Sequence, residues 1–253
     1  YTAGTVVTTG HTLVISASST VNTSGMIWNN FTVNDQTTCT LSSNINVSGT
    51  ATLGTSTNFC NVSGSTLNIT GNLTIGGSAP ISGTSSIILS GTGTWSNSST
   101  GALRLNTTIN TSGTITISGT VYYNTGTLTY TTGTVTTTGS LLRIGASTTL
   151  NTSGMSWNNV TTGGTSQTYT ITSDLYINNT LTITGSTAAN ITGAFNVYVG
   201  GAGAPGASGV SGSGAGAGGA SYDSYGGGRG GNAGNQGSSG AGGGGGAATV
   251  ITV

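Results

Sequence analysis

Ile45-Asn46-Val47-Ser48-Gly49 returns as Leu67-Asn68-Ile69-Thr70-Gly71. Each stretch begins with an apolar, polar, apolar triplet, and this alternation puts the two apolar side chains on one face of a strand and the polar one on the other. Each closes on a hydroxyl residue and a glycine, a pair suited to turning a sharp corner. Kindred triplets recur through residues 1–199, among them Leu13-Val14-Ile15, Leu73-Thr74-Ile75, Ile115-Thr116-Ile117, Leu175-Tyr176-Ile177 and Leu181-Thr182-Ile183. Nothing places apolar residues at i, i+3, i+4 and i+7 over a dozen positions, so strands rather than helices are expected.

A longer recurrence lies beneath the triplets. Asn22-Thr23-Ser24-Gly25-Met26-Ile27-Trp28-Asn29-Asn30 reappears as Asn151-Thr152-Ser153-Gly154-Met155-Ser156-Trp157-Asn158-Asn159, and a third Asn-Thr-Ser-Gly begins at Asn110. The intervals between these copies are near multiples of roughly 21 to 22 residues, the length of a unit with three short strands and three corners. Such a unit is one coil of a β-solenoid. Nine coils rising about 4.8 Å each would make a rod on the order of 43 Å long. The same alternation would serve a β-sandwich, but a sandwich has no need of a fixed long period, so the solenoid is preferred.

Composition narrows function before any site is considered. The 253 residues include three Lys+Arg, three Asp+Glu and one histidine, with a formal net charge of zero and 2 % charged residues. No basic face exists to displace counterions, so nucleic-acid binding is not expected. No apolar run approaches the roughly 20 residues of a helical membrane span, so membrane insertion is not expected either. The chain opens on Tyr1 rather than methionine, as a processed or partial chain would.

The residues able to carry chemistry are few and scattered. His11, Asp35, Asp174, Asp223, Arg104 and Arg143 form no close sequence constellation, and His11 is the one candidate for a neutral-pH base. A polysaccharide-cleaving site would need at least two of Asp35, Asp174 and His11 in one groove. No catalytic, cofactor or metal site is expected. Cys39 and Cys60 are separated by nearly one coil, which leaves two readings: a disulfide between neighbouring coils, or two buried thiols. Thr-x-Thr pairs at Thr114/Thr116, Thr127/Thr129, Thr134/Thr136 and Thr170/Thr172 suggest the flat arrays of an ice-binding solenoid, yet in the sequence they do not recur once per coil.

From Gly200 the pattern changes to glycine at every third residue, first over Gly200 to Gly212 and then over Gly228 to Gly246. A period of three fits neither helix nor strand but matches extended polyproline-II-like helices, which must pack side by side to pair their backbone groups. With only Pro80 and Pro205 the chain lacks the proline of collagen. The expected organisation is an all-β solenoid over 1–199, a glycine-rich polyglycine-II-like helical bundle over 200–248 and a terminal strand over 249–253.

That combination resembles bacteriophage tail-fibre adhesins with glycine-rich tips, and the Ser/Thr/Asn/Gly solenoid resembles β-helical phage-fibre and bacterial surface proteins. In such adhesins the loops between glycine helices touch the host receptor. The resemblance therefore implies receptor contacts at Tyr222, Asp223, Tyr225 and Arg229, with a cell-surface glycan or protein as partner. From the residues themselves, the strand-like ends around Val6 and Val7 and around Val250, Ile251 and Val253 are expected to pair with another copy. The expected function is a non-enzymatic subunit of a self-assembling extracellular, cell-surface or virion fibre. A phage receptor-binding tip and an ice-binding solenoid are the alternatives.

Overall fold

The computed structural model describes residues 6, 8–24, 26–34, 37–55, 58–97, 100–145, 147–163, 167–183, 190–193, 195–200, 221–222, 227–228 and 249–252. All regular elements among them are β-strands, and the chain winds as a β-solenoid of about eight turns. Three parallel ladders form its faces. Face A stacks Thr12–Ile15, Asn30–Val33, Thr50–Leu53, Asn72–Ile75, Gly93–Asn97, residues 115–118 and residues 134–136. Face B stacks Ser19–Val21, Thr37–Leu41, Cys60–Gly64 and Ile81–Ser82, passes Leu103 by single bridges, and continues through Thr120–Tyr123, Leu141–Ile144, 159–162 and 180–183. Face C runs from Ile27–Trp28 through Ile45–Val47, Leu67–Ile69, Ser86–Leu89, 106–109, 126–129, Thr148–Asn151 and Thr168–Ile171 to Asn190–Thr192. The chain visits the faces in the order A, B, C.

Alternation within each triplet sends one residue set inward, and stacking aligns the sets into columns. On face A, Phe31, Ala51, Leu73, Trp95 and Ile117 lie one above another, each at most 1 % exposed. The small Ala51 lies between Phe31 and Leu73, so large and small side chains interdigitate along the axis. Each large apolar member contributes about 1.5 to 3 kcal/mol by leaving water. Coil length varies while register on the faces holds. Thr12 stacks on Asn30, Phe31 on Ala51, Leu73 on Trp95 and Cys39 on Val62, so the offset differs from one pair to the next. Corners absorb the differences.

The recurrence that links Asn22 to Asn151 proves far longer than its nine-residue core. Residues 5–70 align with 134–200, and over the described residues the strand pairings of the first copy recur in the second. Leu41 O lies 2.3 Å from where a Cβ would stand on Gly64, and Ile171 O lies 2.2 Å from the same point on Gly193. The amide of His11 donates to Thr8 O and that of Ser140 to Thr137 O, both at 2.9 Å. Thr12–Ile15 pairs with Asn30–Val33 as Leu141–Ile144 pairs with 159–162. Yet Thr12–Ile15 lies on face A and Leu141–Ile144 on face B. The second copy is thus displaced by one face around the axis.

Face A is interrupted where this second copy begins. Residues 156–157 pair onward with 176–177, and 175–177 with Asn196–Val199, but among the described residues no ladder joins 134–136 to 156–157. Side chains bridge the gap instead: Thr137 Oγ1 donates to Ser156 O at 2.9 Å, and Asn158 Nδ2 to Ser140 O at 3.3 Å.

Several expectations are corrected or fall outside the described residues. Cys39 and Cys60 are buried thiols rather than a disulfide, because Cys60 stacks on Thr37 while Cys39 stacks on Val62, two residues out of register for a bridge. The polyglycine-II-like bundle lies outside the described residues apart from a short antiparallel ladder joining Ser221–Tyr222 to Gly227–Gly228, which is β-structure. The terminal strand, Thr249–Thr252, runs antiparallel along Asn196–Val199.

Glycine at the corner between faces C and A is needed for close approach. A Cβ on Gly71 would stand 2.0 Å from Gly49 O, and one on Gly93 would stand 1.9 Å from Gly71 O. Gly119 has φ +66 and open space around it. Gly71→Ala should therefore destabilise the chain by about 2 kcal/mol or more, a fall of at least roughly 4 °C in Tm, since the obstructing atom is backbone. Gly119→Asn should fall within about 1 kcal/mol of the parent, because Asn tolerates the left-handed region. Thermal melts followed by circular dichroism check the contrast.

Candidate functional surfaces

The outward halves of the triplets form ordered polar columns. On face A, Asn30, Thr50, Asn72, Thr94, Thr116 and Thr136 stack in one column. Thr32, Thr52, Thr74, Ser96 and Ser118 stack in the column beside it. Strand geometry separates the columns by about 6.7 Å and successive coils by about 4.8 Å. Face C carries a second array, in which Thr127, Thr149, Thr170 and Thr192 are aligned. Strict Thr-x-Thr pairs still do not recur once per coil, since of these coils only Thr50 and Thr52 place threonine in both columns. Counting only Thr-x-Thr misses the coils in which Asn or Ser holds an equivalent place.

Asparagines at the corners tie one coil to the next. Asn30 Oδ1 accepts the amide of Thr50 at 2.9 Å, Asn72 Oδ1 that of Thr94 at 2.8 Å, and Asn106 Oδ1 that of Thr127 at 2.9 Å. Asn68 Nδ2 donates to Asn46 Oδ1 at 2.9 Å, forming a rung of an amide ladder on face C. Asn44 Oδ1 accepts the amide of Thr66 at 3.2 Å. In the second copy Asp174 fills that role, with Oδ1 accepting the Asn196 amide at 2.9 Å and Oδ2 accepting the Tyr176 hydroxyl at 3.3 Å.

Asp174 is thus a corner residue. His11 lies exposed at the turn leading into the first face A strand, and Asp35 lies outside the described residues. Arg143 sits 4.8 Å over the ring of Tyr122 on face B, and Arg104 is exposed beside the Leu103 bridge. Among the described residues no three His, Cys, Asp or Glu side chains converge. Burial pushes the Cys39 thiol up to about 11, which keeps it protonated and unreactive at neutral pH.

A cleft of about 390 Å³ opens at the interruption of face A, lined by Gly133, Thr134, Gly154, Met155, Ser156 and Tyr176 among others. Tyr176 stacks on Tyr198 of the next coil, with ring centroids 4.9 Å apart. The pair follows from register alone, since both stand at the centre of apolar-flanked triplets one coil apart. Of the expected receptor contacts, Tyr222 pairs with Gly227, while Asp223, Tyr225 and Arg229 lie outside the described residues. Of the expected assembly residues, Val6 is 48 % exposed, and Val7 and Val253 lie outside the described residues. Val250 and Ile251 pair within the chain, with Tyr198 and Val197. No protein-family model matches the chain, and no curated protein or solved structure is detectably similar to it.

Proposed function

We propose that the chain is a non-enzymatic structural subunit of a self-assembling extracellular or virion fibre. The observation that carries this reading is the state of the two ends. At the first coil Thr12–Ile15, Ser19–Val21 and Ile27–Trp28 are paired on one side only among the described residues, and so are 180–183 and Asn190–Thr192 at the last. Open strand edges are templates for further strands. Natural solenoids commonly guard them with charge or a capping element, and here charged side chains are nearly absent. The scatter of the acid-base residues, with Asp174 occupied in a corner and Arg143 over a ring, favours a structural role over catalysis.

The two-column array on face A favours a second reading, adsorption to ice through a regular lattice of hydroxyl and amide groups. The readings make different demands on the molecule: a fibre needs its ends, and an ice-binding protein needs its face.

Negative-stain microscopy of the purified chain should show unbranched filaments whose length grows with protein concentration. A monodisperse particle at all concentrations would contradict the fibre reading. Under the second reading the chain should show thermal hysteresis, and Thr52→Tyr together with Thr74→Tyr should abolish it without lowering Tm by more than a few degrees. Absence of hysteresis in the parent chain would sink that reading.

A further inference from the structure

The internal duplication shows how an end of this solenoid is covered. Thr12–Ile15 and Ser19–Val21, the open edges of the first coil, have as their repeats Leu141–Ile144 and Thr148–Asn151. Those repeats are not at an end. Thr120–Tyr123 stacks on the first, pairing Thr120 with Leu141 through Tyr123 with Ile144, and residues 126–129 stack on the second, pairing Leu128 with Leu150. The first coil therefore presents backbone edges and inward side chains whose equivalents, elsewhere in the same molecule, already accept a preceding coil.

The last coil presents the matching pieces. Residues 180–183, Thr-Leu-Thr-Ile, stand in the columns of Thr120-Val121-Tyr122-Tyr123, and Thr192 stands in the column of Thr127. Burial marks both ends as unfinished. Ile183 is 53 % exposed, whereas its repeat Leu53 is fully buried beneath the next coil. At the other end Ile15 and Val21 are 7 % and 8 % exposed, against 1 % for their repeats Ile144 and Leu150. The third edge differs in both places. Inside the chain no ladder joins 134–136 to 156–157 among the described residues, and at the last coil Thr249–Thr252 covers the corresponding edge of Asn196–Val199. Stacking therefore requires ladders on two faces, and among the described residues those two are open at both ends.

We infer that the partner of the first coil is the last coil of a second copy, joined head to tail by parallel ladders that pair Thr180 through Ile183 with Thr12 through Ile15, and Thr192 with Thr20. Because 180–183 lies on face B and Thr12–Ile15 on face A, each copy is turned by one face relative to its neighbour, as the second repeat is turned relative to the first. This rests on the fibre reading and supplies its polarity and register.

Val14 and Thr182 are exposed, point outward, and become direct neighbours across this junction, about 4.8 Å apart along the axis. The test uses full-length Val14→Cys and Thr182→Cys proteins, mixed with one in large excess and treated with a short bis-maleimide, with microscopy of the same samples. Most of the limiting variant is expected in covalent Val14→Cys/Thr182→Cys heterodimers, with each variant alone giving no dimer, since the native thiols are buried. Val14→Cys homodimers, or no heterodimer, would overturn the head-to-tail junction, including the case where the glycine-rich segment covers the last coil of its own chain. Filaments without heterodimers would leave the fibre reading standing and remove this one; the absence of filaments would remove the fibre reading by itself.

Discussion

Every coil depends on its neighbours for the hydrogen bonds of its backbone. A strand of three or four residues cannot satisfy its own amides and carbonyls, and leaving them unpaired at a buried position costs more than the bonds return when made. In-register parallel stacking of successive coils resolves this along face C and, apart from the interruption beside 134–136 and the single bridges at Leu103, along faces A and B, and most other features of the molecule follow from it. Apolar residues align because register is held, corner glycines such as Gly71 lie almost in contact with the carbonyl of the coil below, and corner asparagines lend a side-chain oxygen to the amide one coil on. The tolerance of unequal coils, short from Thr12 to Asn30 and long from Cys39 to Val62, has the same origin, since only the face positions are constrained.

The displacement of the second repeat by one face says what the sequence does and does not encode. From Thr12–Ile15 to Leu141–Ile144 the chain passes nineteen face positions, which is six turns and one face over. The same residues form the same pairings on a different side of the rod. A repeat therefore carries its local corner and pairing geometry with it, while its side of the rod is set by the number of preceding strands. This is the behaviour of a quasi-one-dimensional structure, in which stability is a sum over neighbouring units.

Much of this was legible in the residues. Triplets such as Ile45-Asn46-Val47 marked the strands, and their spacing marked the coil. The thiol state of Cys39 and Cys60 was not legible, because their separation nearly matches the average coil while the local coil runs from Cys39 on to Val62, and coil length is set by corner loops that show no periodicity. The corner role of asparagine was hidden as well: in a chain rich in Asn, Ser and Thr, Asn72 looks like composition until Thr94 is found one coil above it. The columns of face A are hidden in the sequence because Asn30, Ser96 and Ser118 each break a strict Thr-x-Thr rule while keeping its geometry. Asp174 looked like a candidate acid and is the acidic counterpart of Asn44.

Successive coils stack in register along one axis, and spin labels on the outward column of face A measure this directly. Val14, Thr32, Thr52, Thr74, Ser96 and Ser118 occupy successive coils, and the buried native thiols escape labelling. Pulsed electron paramagnetic resonance between positions 14 and 118, five steps apart, should give about 24 Å, and between 32 and 118, four steps apart, about 19 Å. Distances that fail to fall by about one coil rise between the two pairs would contradict the stacked solenoid.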